Sequence, residues 1–367
     1  MTTRRMGHSI LRVVAAGSLA ALVAACSSAV GAPAPGVPTS VVTAAPSAAP
    51  ASPKPTLVAT ASPSASPSAS VAVIGDGEAW IAFQAFDPGA ILAIRPDGTG
   101  RHVLFPSVTG GAQLHPDSSP DGKRVVFGVQ GADTEVLWVG DADGTHTGKV
   151  VDCTAPCQSV NEPAWSPDGR SIAYQRAVSR DGVGVSTLEI LDLTTGKTRI
   201  AFTAPPKRGV AAPRWNPDGT QVVFEYLAKA SPAFDAGVTG NALAVVDLTD
   251  TKPTPREITK VEDRCNNPDW SWVGDVIICS KPVAMTGYDG PADIVLVRPG
   301  SPTGLVPITA VASDGRQAVM PTWLPDGSGI IFADWGGAMS TILSDGTGLA
   351  PAVGGVTGLF PRLRPTP

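Results

Sequence analysis

The sequence predicts an all-β protein: a six-bladed β-propeller preceded by a leader and a linker. Three observations lead to this fold class. A motif containing proline and tryptophan recurs about every 50 residues, short apolar runs follow each copy, and glycine (40) and proline (36) are abundant. Such glycine and proline content is typical of chains with many turns and argues against a helical bundle. The net charge of −5, with no basic excess, argues against nucleic acid as a partner.

Residues 1–25 have the features of a lipoprotein signal peptide. Three arginines precede an apolar stretch over residues 13–25, and its last three residues with Cys26 read Val-Ala-Ala-Cys. A transmembrane helix needs roughly 20 apolar residues, so a secretion signal explains the stretch better. The last four residues match the lipobox of bacterial lipoproteins, which makes Cys26 the predicted lipidation site. The alternative is an ordinary signal peptide with a cysteine there by chance.

Residues 26–74 are interpreted as the lipidated cysteine followed by a disordered linker. Alanine, serine and proline dominate this segment, and Lys54 is its single charged residue. Such a composition cannot bury enough apolar surface to fold, so we expect a partly extended tether. The tether would hold a folded domain away from a membrane.

The motif organises residues 75–367, the predicted propeller domain. It is clearest at residues 163–169, 213–219 and 321–327, and altered copies occupy 116–122 and 268–274. Its Pro-Asp-Gly segment is a tight-turn sequence, because proline presets φ and glycine accepts a positive φ. The apolar run that follows is short and β-branched, as in a strand buried on both faces. Four strands per unit of this length are typical of a propeller blade.

The two ends of the domain supply the sixth blade. Residues 75–105 contain a second, a third and a fourth strand but no first strand, and residues 360–365 form a first strand with nothing after it. Joining them completes the ring and removes an open sheet edge. We therefore expect Leu363 to lie beside Ile81.

The repeat Pro-x-Trp-Ser-Pro-Asp-Gly, followed by an Ile-Ala-Phe-like run, resembles the repeat of the TolB family of periplasmic six-bladed propellers. The resemblance covers nearly all of residues 75–367 and implies a periplasmic propeller. The lipobox and linker stand where that family has an α/β domain, so a role in the Tol–Pal system does not follow. A similar propeller gates the peptidases of the prolyl-oligopeptidase type, in which a hydrolase domain follows the propeller.

Four cysteines remain after lipidation, and an exported protein would use them in disulfides. Three pairings are open, and proximity favours Cys153 with Cys157 and Cys265 with Cys279. A metal site at the first pair would need two further ligands, and only His146 is near in the sequence.

The candidate binding surface is the face that carries the second-to-third-strand loops and the connections between blades. Residues 177–185, 228–241 and 281–291 are predicted to be long loops there. Cations in the connections and residues just before the inner strands would surround the mouth of the channel, the default position for a binding site. The candidates are His115, Asn161, Glu162, Lys207, Arg208, Arg264, Asn267, Arg316, Met320 and Phe360. The alternative for each is an ordinary solvated loop residue.

Residues just after the first proline of each repeat predict ion pairs near the axis. In ring order this position holds Arg362, Asp117, Ala164, Arg214, Asp269 and Thr322. Opposite charges thus fall on adjacent blades twice, and we expect Arg362–Asp117 and Arg214–Asp269 pairs within about 6 Å, with a structural role. The tryptophans are expected to serve blade packing rather than ligand stacking, most clearly at the recurring position that holds Trp165, Trp215, Trp270 and Trp323.

The sequence favours an exported binding module with an N-terminal lipid anchor in the cell envelope, on the outer side of the cytoplasmic membrane or in the periplasm or outer membrane. Its loop-rich face and channel mouth would meet an envelope protein or glycan, and we expect a monomer. The serine-hydrolase elbow, zinc-protease and phosphate-loop motifs are absent, so no catalytic residue, metal or cofactor is assigned. Two alternatives stay open: a lactone hydrolase or lyase with a site at the channel mouth, and an accessory domain of a peptidase or transport complex.

Overall fold

The computed structural model describes the propeller, with short gaps. The described residues are 80–131, 134–233, 237–283, 290–300, 304–353 and 357–363. The predicted signal peptide, Cys26 and the linker lie outside them.

The described residues form 24 strands in six four-stranded antiparallel sheets, which confirms the six-bladed propeller. Blade 1 contains β1 (Ile81–Ala85), β2 (Ala90–Ile94), β3 (His102–Val103) and, from the far end of the chain, β24 (Leu359–Leu363). Blade 2 contains β4 (Ala112–Ser118), β5 (Arg124–Gln130), β6 (Glu135–Asp141) and β7 (Gly148–Val151). Blade 3 contains β8 (Cys157–Trp165), β9 (Ser171–Arg180), β10 (Val183–Asp192) and β11 (Lys197–Thr203).

The remaining three blades follow the same order. Blade 4 contains β12 (Arg208–Trp215), β13 (Gln221–Lys229), β14 (Val238–Asp247) and β15 (Arg256–Glu257). Blade 5 contains β16 (Asn266–Trp270), β17 (Ile277–Pro282), β18 (Ala292–Val297) and β19 (Val306–Pro307). Blade 6 contains β20 (Val319–Trp323), β21 (Gly329–Ala333), β22 (Met339–Leu343) and β23 (Ala350–Pro351). Two short 3-10 turns, Val261–Asp263 and Val311–Asp314, lie in the connections that lead to blades 5 and 6.

The first strands of the blades form a closed inner ring. Each one contacts the first strand of both neighbouring blades, in the order β24, β4, β8, β12, β16, β20 and back to β24. The closure occurs inside blade 1, where β24 pairs antiparallel with β1 and Ile81 lies opposite Leu363. This confirms the predicted pairing of the two ends.

The Pro-Asp-Gly segment forms the turn between the first two strands, as predicted. In blade 3 the Asp168 carboxylate accepts hydrogen bonds from the Ser166 hydroxyl (2.6 Å) and from the Arg170 amide (3.0 Å). Gly169 has φ of +66°, which a residue with a side chain rarely adopts. The Ser166 hydroxyl also accepts the Ser171 amide at the start of the next strand (2.9 Å). The motif therefore fixes the turn through its own side chains.

The repeated tryptophans pack between adjacent blades, with one departure. Trp165, Trp270 and Trp323 are 2–3% exposed and belong to clusters that join their blade to the preceding one. Burial of such a large aromatic side chain supplies much of the energy that holds neighbouring blades together. Trp215, at the same repeat position, is only partly buried.

Strands extend into two of the predicted long loops. The β9–β10 ladder pairs ten residues on each side, from Ser171 opposite Asp192 to Arg180 opposite Val183, so residues 177–185 form the end of a hairpin. Residues 228–241 likewise begin and end in paired strand. Glycine and charged residues interrupt the apolar pattern in both stretches, so a prediction based on hydrophobicity misses their backbone pairing. Residues 284–289 of the third predicted loop lie outside the described residues.

Both expected disulfides are present. Cys153 pairs with Cys157 and Cys265 with Cys279, with Cα–Cα distances of 5.2 and 5.5 Å. Cys265 lies one residue before β16 and Cys279 lies in β17, so the second bridge joins the first two strands of blade 5. Across the described part of the chain, no helix is long and apolar enough to span a membrane.

Candidate functional site

Each inner strand contains one residue in the left-handed backbone conformation, followed by proline. The six residues have φ between 45° and 53°: His115, Glu162, Ala212, Asn267, Met320 and Phe360. The strand register shifts at this point in every blade, as in a β-bulge. Proline cannot donate to the ladder, and a bulge is one of the few places where a strand tolerates it. We call these six residues the bulge ring.

The bulge ring contains five of the ten candidate binding residues, but their position differs from the expected one. They were expected just before the inner strands, exposed at the channel mouth. They lie within those strands, and all except Asn267 are buried. Ala212, the sixth member, was not recognised because its side chain carries no functional group.

The remaining five candidates have different environments. Asn161 is buried in β8. Arg208 lies over the Tyr226 ring at 3.6 Å and pairs with Glu257, whereas Arg264 donates to the Thr239 carbonyl (3.0 Å). Lys207 and Arg316 are exposed in the connections between blades. The two exposed cations are therefore the members best placed to meet a partner, and a binding role for any of the ten stays a prediction.

Buried side chains from the preceding blade accept the amide hydrogens of three bulge-ring residues. Glu162 accepts the Ala212 amide (2.7 Å), Glu225 accepts the Asn267 amide (2.6 Å) and Gln84 accepts the His115 amide (3.2 Å). An unpaired buried amide is costly, so these side chains satisfy groups that need a partner. They also link blade 1 to blade 2, blade 3 to blade 4 and blade 4 to blade 5.

The two predicted ion pairs are present, and their residues lie two positions after bulge-ring residues in the inner strands. Arg362 Nε lies 3.3 Å from Asp117 Oδ1, and Arg214 Nε lies 3.4 Å from Asp269 Oδ1. The other oxygen of each aspartate accepts a backbone amide from the following blade. Asp117 accepts the Trp165 amide and Asp269 the Trp323 amide, both at 2.8 Å. Each aspartate thus joins three blades, which supports the structural role.

Burial raises the pKa of the axial carboxyl groups. It raises the pKa of Asp117 to about 6 and that of Asp269 to about 7, although Arg214 and the backbone amides act in the opposite direction. Burial, with the Glu162 carboxylate as a neighbour, raises the pKa of Glu225 to about 8. Glu225 is therefore protonated at neutral pH, which limits the negative charge held at the axis.

His115 belongs to a buried cluster that contains two carboxylates. Its Nδ1 lies 3.6 Å from Glu135 Oε1. Burial alone would lower the pKa of His115, but Glu135 and Glu162 outweigh this effect and raise it. Glu135 reaches this position because residue 128 is glycine: a Cβ there would lie 2.1 Å from Glu135 Oε1.

The axis leaves little room for a substrate beside the ion pairs. The cavity lined by Asp117, Arg214, Asp269, Thr322 and Arg362 has a volume of about 40 Å³. At roughly 10–15 Å³ for each water, it holds about three water molecules. Within the described residues, no group of three or more His, Cys, Asp or Glu side chains is arranged to hold a metal ion. The raised pKa values here accompany structural bonds between blades.

The end of the propeller away from the Pro-Asp-Gly turns carries exposed apolar side chains. Phe86 is 52% exposed, Val183 39% and Val283 56%. Each lies where the second strand of a blade leads into the third, in blades 1, 3 and 5. We call the surface formed by these tips and the inter-blade connections the loop face. Isolated exposed apolar residues are common on protein surfaces, so what distinguishes these three is their shared position at the second-to-third-strand tips.

Sequence comparisons give a partial match. No family model matches the chain. The Tol-Pal system protein TolB of Albidiferax ferrireducens is 35% identical over 88 residues, which is 24% of this chain and 19% of that protein. The match therefore spans about a fifth of the relative's length.

Structural comparisons agree on the fold. TolB from Acinetobacter baumannii has a TM-score of 0.56 at 16% identity, covering 78% of this chain and 66% of that one. A putative TolB from Agrobacterium tumefaciens has a TM-score of 0.55 at 20% identity, covering 79% and 98%. A chain of a nidogen/laminin complex reaches 0.54 at 9% identity, with coverage of 78% and 99%. The chain is thus a TolB-like six-bladed β-propeller in fold.

Proposed function

We propose that this TolB-like propeller is an exported, lipid-anchored binding module that docks an envelope partner on its loop face. The lipobox at Cys26 and the linker over residues 26–74 support the anchoring and the reach. The partial match to a protein named for the Tol-Pal system supports an envelope setting. Of the partner classes, a protein fits better than a glycan.

The three exposed apolar tips carry this proposal. Phe86, Val183 and Val283 lie on alternate blades, so they spread around the rim of the loop face. Exposed Lys207 and Arg316 lie in the connections between blades. Exposed apolar side chains and nearby cations supply the two kinds of contact that protein interfaces use.

The axial geometry favours binding over catalysis. The buried carboxylates hold backbone amides of neighbouring blades, and the axial cavity has a volume of about 40 Å³. Ligand sites in proteins usually occupy about 300–1,000 Å³. A sugar or peptide substrate therefore does not fit among these groups.

The test compares two triple variants. The first replaces Phe86, Val183 and Val283 by serine, and the matched control replaces Val273, Val306 and Leu349, which are comparably exposed away from the loop face. Each full chain is cross-linked in intact cells and its partners are identified by mass spectrometry. We expect a specific partner with the wild type and the control and its loss in the first variant. Equal recovery in all three would refute docking on the loop face.

The anchor is tested separately with Cys26→Ser. This variant should lose the lipid modification and move from the membrane fraction to the soluble fraction while its propeller stays folded. Unchanged membrane association would contradict lipidation at Cys26.

A further inference from the structure

A second surface, on the opposite side of the molecule from the loop face, has the shape of a ligand site. A groove of about 920 Å³ lies between blades 3 and 4, beside the Pro-Asp-Gly turns. Its size is at the upper end of the range for ligand pockets. Trp215 lines it, together with both turns and the start of β11.

Trp215 differs from its equivalents in being accessible. Trp165, Trp270 and Trp323 are 2–3% exposed, whereas Trp215 is partly exposed and borders the groove. Its indole nitrogen donates to the Ala164 carbonyl (3.1 Å), so the ring is held in a fixed position. A fixed, accessible aromatic ring is a preformed surface for stacking.

One residue on the neighbouring blade explains this difference. In blade 2, Arg124 extends over the Trp165 ring, with Cζ 4.6 Å from its centre. The equivalent residue in blade 3 is Ser171. Both residues donate their amide to the hydroxyl of the turn serine at 2.9 Å, and both lie opposite an aspartate of the third strand. Serine is too short to cover the next tryptophan, so the groove stays open over Trp215.

The residues at this position in the next two blades are larger than serine. Gln221 holds the position in blade 4, and Trp270 of the next blade is buried. In blade 5 it is Val276, which packs in the cluster that contains Trp323. Among the repeated tryptophans, the accessible one is the one that faces serine.

The groove walls carry groups suited to sugar hydroxyls. Asp168, Asp192 and Asp218 line it, and hydrogen bonds within their turns lower the pKa of each, so all three are ionised at neutral pH. Lys197 and Arg199 line it as well. Carboxylates accept hydrogen bonds from hydroxyl groups, and the two cations donate them. The slight excess of negative charge disfavours a polyanionic ligand.

We propose that this groove binds a neutral oligosaccharide whose pyranose ring stacks on Trp215. A pyranose has an apolar C–H face and a rim of hydroxyl groups, which matches an aromatic surface bordered by carboxylates and cations. The site is independent of the loop face, so the two proposals can fail separately.

The experiment titrates the full chain with cellotriose, maltotriose and chitotriose and follows calorimetry and tryptophan fluorescence. Ser171→Arg introduces in blade 3 an arginine equivalent to Arg124, the residue that covers Trp165. Ser171→Ala is the matched control, which leaves the groove open. We expect at least one trisaccharide to bind with a Kd of about 1 mM or tighter. Ser171→Arg should weaken it at least about tenfold, and Ser171→Ala should change it by less than about threefold.

A second variant guards against misfolding of the first. Trp215→Leu keeps apolar volume but removes the ring, and it should abolish both binding and the fluorescence change. Circular dichroism and the melting temperature establish that each variant is folded. The proposal is overturned if none of the three sugars binds, or if folded Ser171→Arg and Trp215→Leu bind as the wild type does.

Discussion

Replacement of Asp117 by alanine should destabilise the propeller more than any single surface change. Its Oδ1 pairs with Arg362 (3.3 Å) in the closing strand, and its Oδ2 accepts the Trp165 amide (2.8 Å) in the next blade. The Trp165 indole also donates to the Asp117 carbonyl (3.1 Å). One side chain thus connects blades 1, 2 and 3 at the point where the ring closes.

The magnitude follows from the groups left without partners. Removal of one member of a buried ion pair costs about 3–5 kcal/mol, and loss of a hydrogen bond to a charged group costs about 1.5–3 kcal/mol. The two losses overlap, and Arg362 retains a contact with the Thr322 hydroxyl, so we expect a total of about 3–5 kcal/mol at neutral pH.

Urea unfolding, followed by tryptophan fluorescence, measures this change. Arg362→Met and the double variant complete a double-mutant cycle, in which the pair should show a coupling of about 1 kcal/mol or more. The double variant should be more stable than Asp117→Ala, since no charge is left buried alone. A change below about 0.5 kcal/mol for Asp117→Ala would refute the reasoning, because that is the size of an ordinary surface effect.

Three further predictions concern other parts of the ring. Burial raises the pKa of Glu225 to about 8, so the folded state binds more protons than the unfolded state between about pH 4.5 and 8, and stability should fall as pH rises through that window. Glu225→Gln should remove this fall, and the variant should melt at a higher temperature than the wild type at about pH 8. Melting temperatures that change with pH in parallel for the two proteins would contradict this prediction. Cys265 and Cys279 are 14 residues apart, and replacement of both by alanine should cost about 3 kcal/mol in urea unfolding; an unchanged midpoint would count against this. Ala212 has φ of +45°. Ala212→Gly should stabilise the fold by about 0.5 kcal/mol, because relief of the left-handed strain outweighs the added freedom of the unfolded chain. A loss of stability would show that no strain is present.

The blade count, the ring closure and the axial ion pairs could be predicted because each depends on local chemistry that repeats. A Pro-Asp-Gly turn forms wherever it occurs, and its spacing gives the length of a blade. Arg362 and Asp117 hold the same repeat position in adjacent blades, so the closed ring alone brings them together. The disulfides followed from short separations in sequence.

The environment of the bulge ring was less accessible from the sequence. Glu135 and Glu225 reach it from strands other than the first, at positions whose identity changes from blade to blade. The proline after each bulge residue is a usable signal, because proline inside an inner strand requires an irregularity. This proline recurs in all six blades, so the sequence itself carries the information that each inner strand is bulged.

The groove beside Trp215 depends on a relation between two blades. Ser171 is an ordinary residue within its own repeat, and its effect appears only on the tryptophan of the next blade. A comparison of Ser171 with Arg124 in the aligned repeats would have indicated that Trp215 is accessible, provided that the order of the blades was already known.

Closure of the ring by the last strand is the central claim, since the axial layers depend on it. Ile81 and Leu363 lie directly opposite each other in an antiparallel pair, where Cα atoms are about 4.5–5.5 Å apart, within the range for a disulfide. Cysteines at both positions should form a disulfide under mild oxidation, detected as one linked peptide by mass spectrometry, whereas cysteines at Leu363 and Ile200 should not. Free thiols at positions 81 and 363 in the folded protein would contradict the closed six-bladed ring.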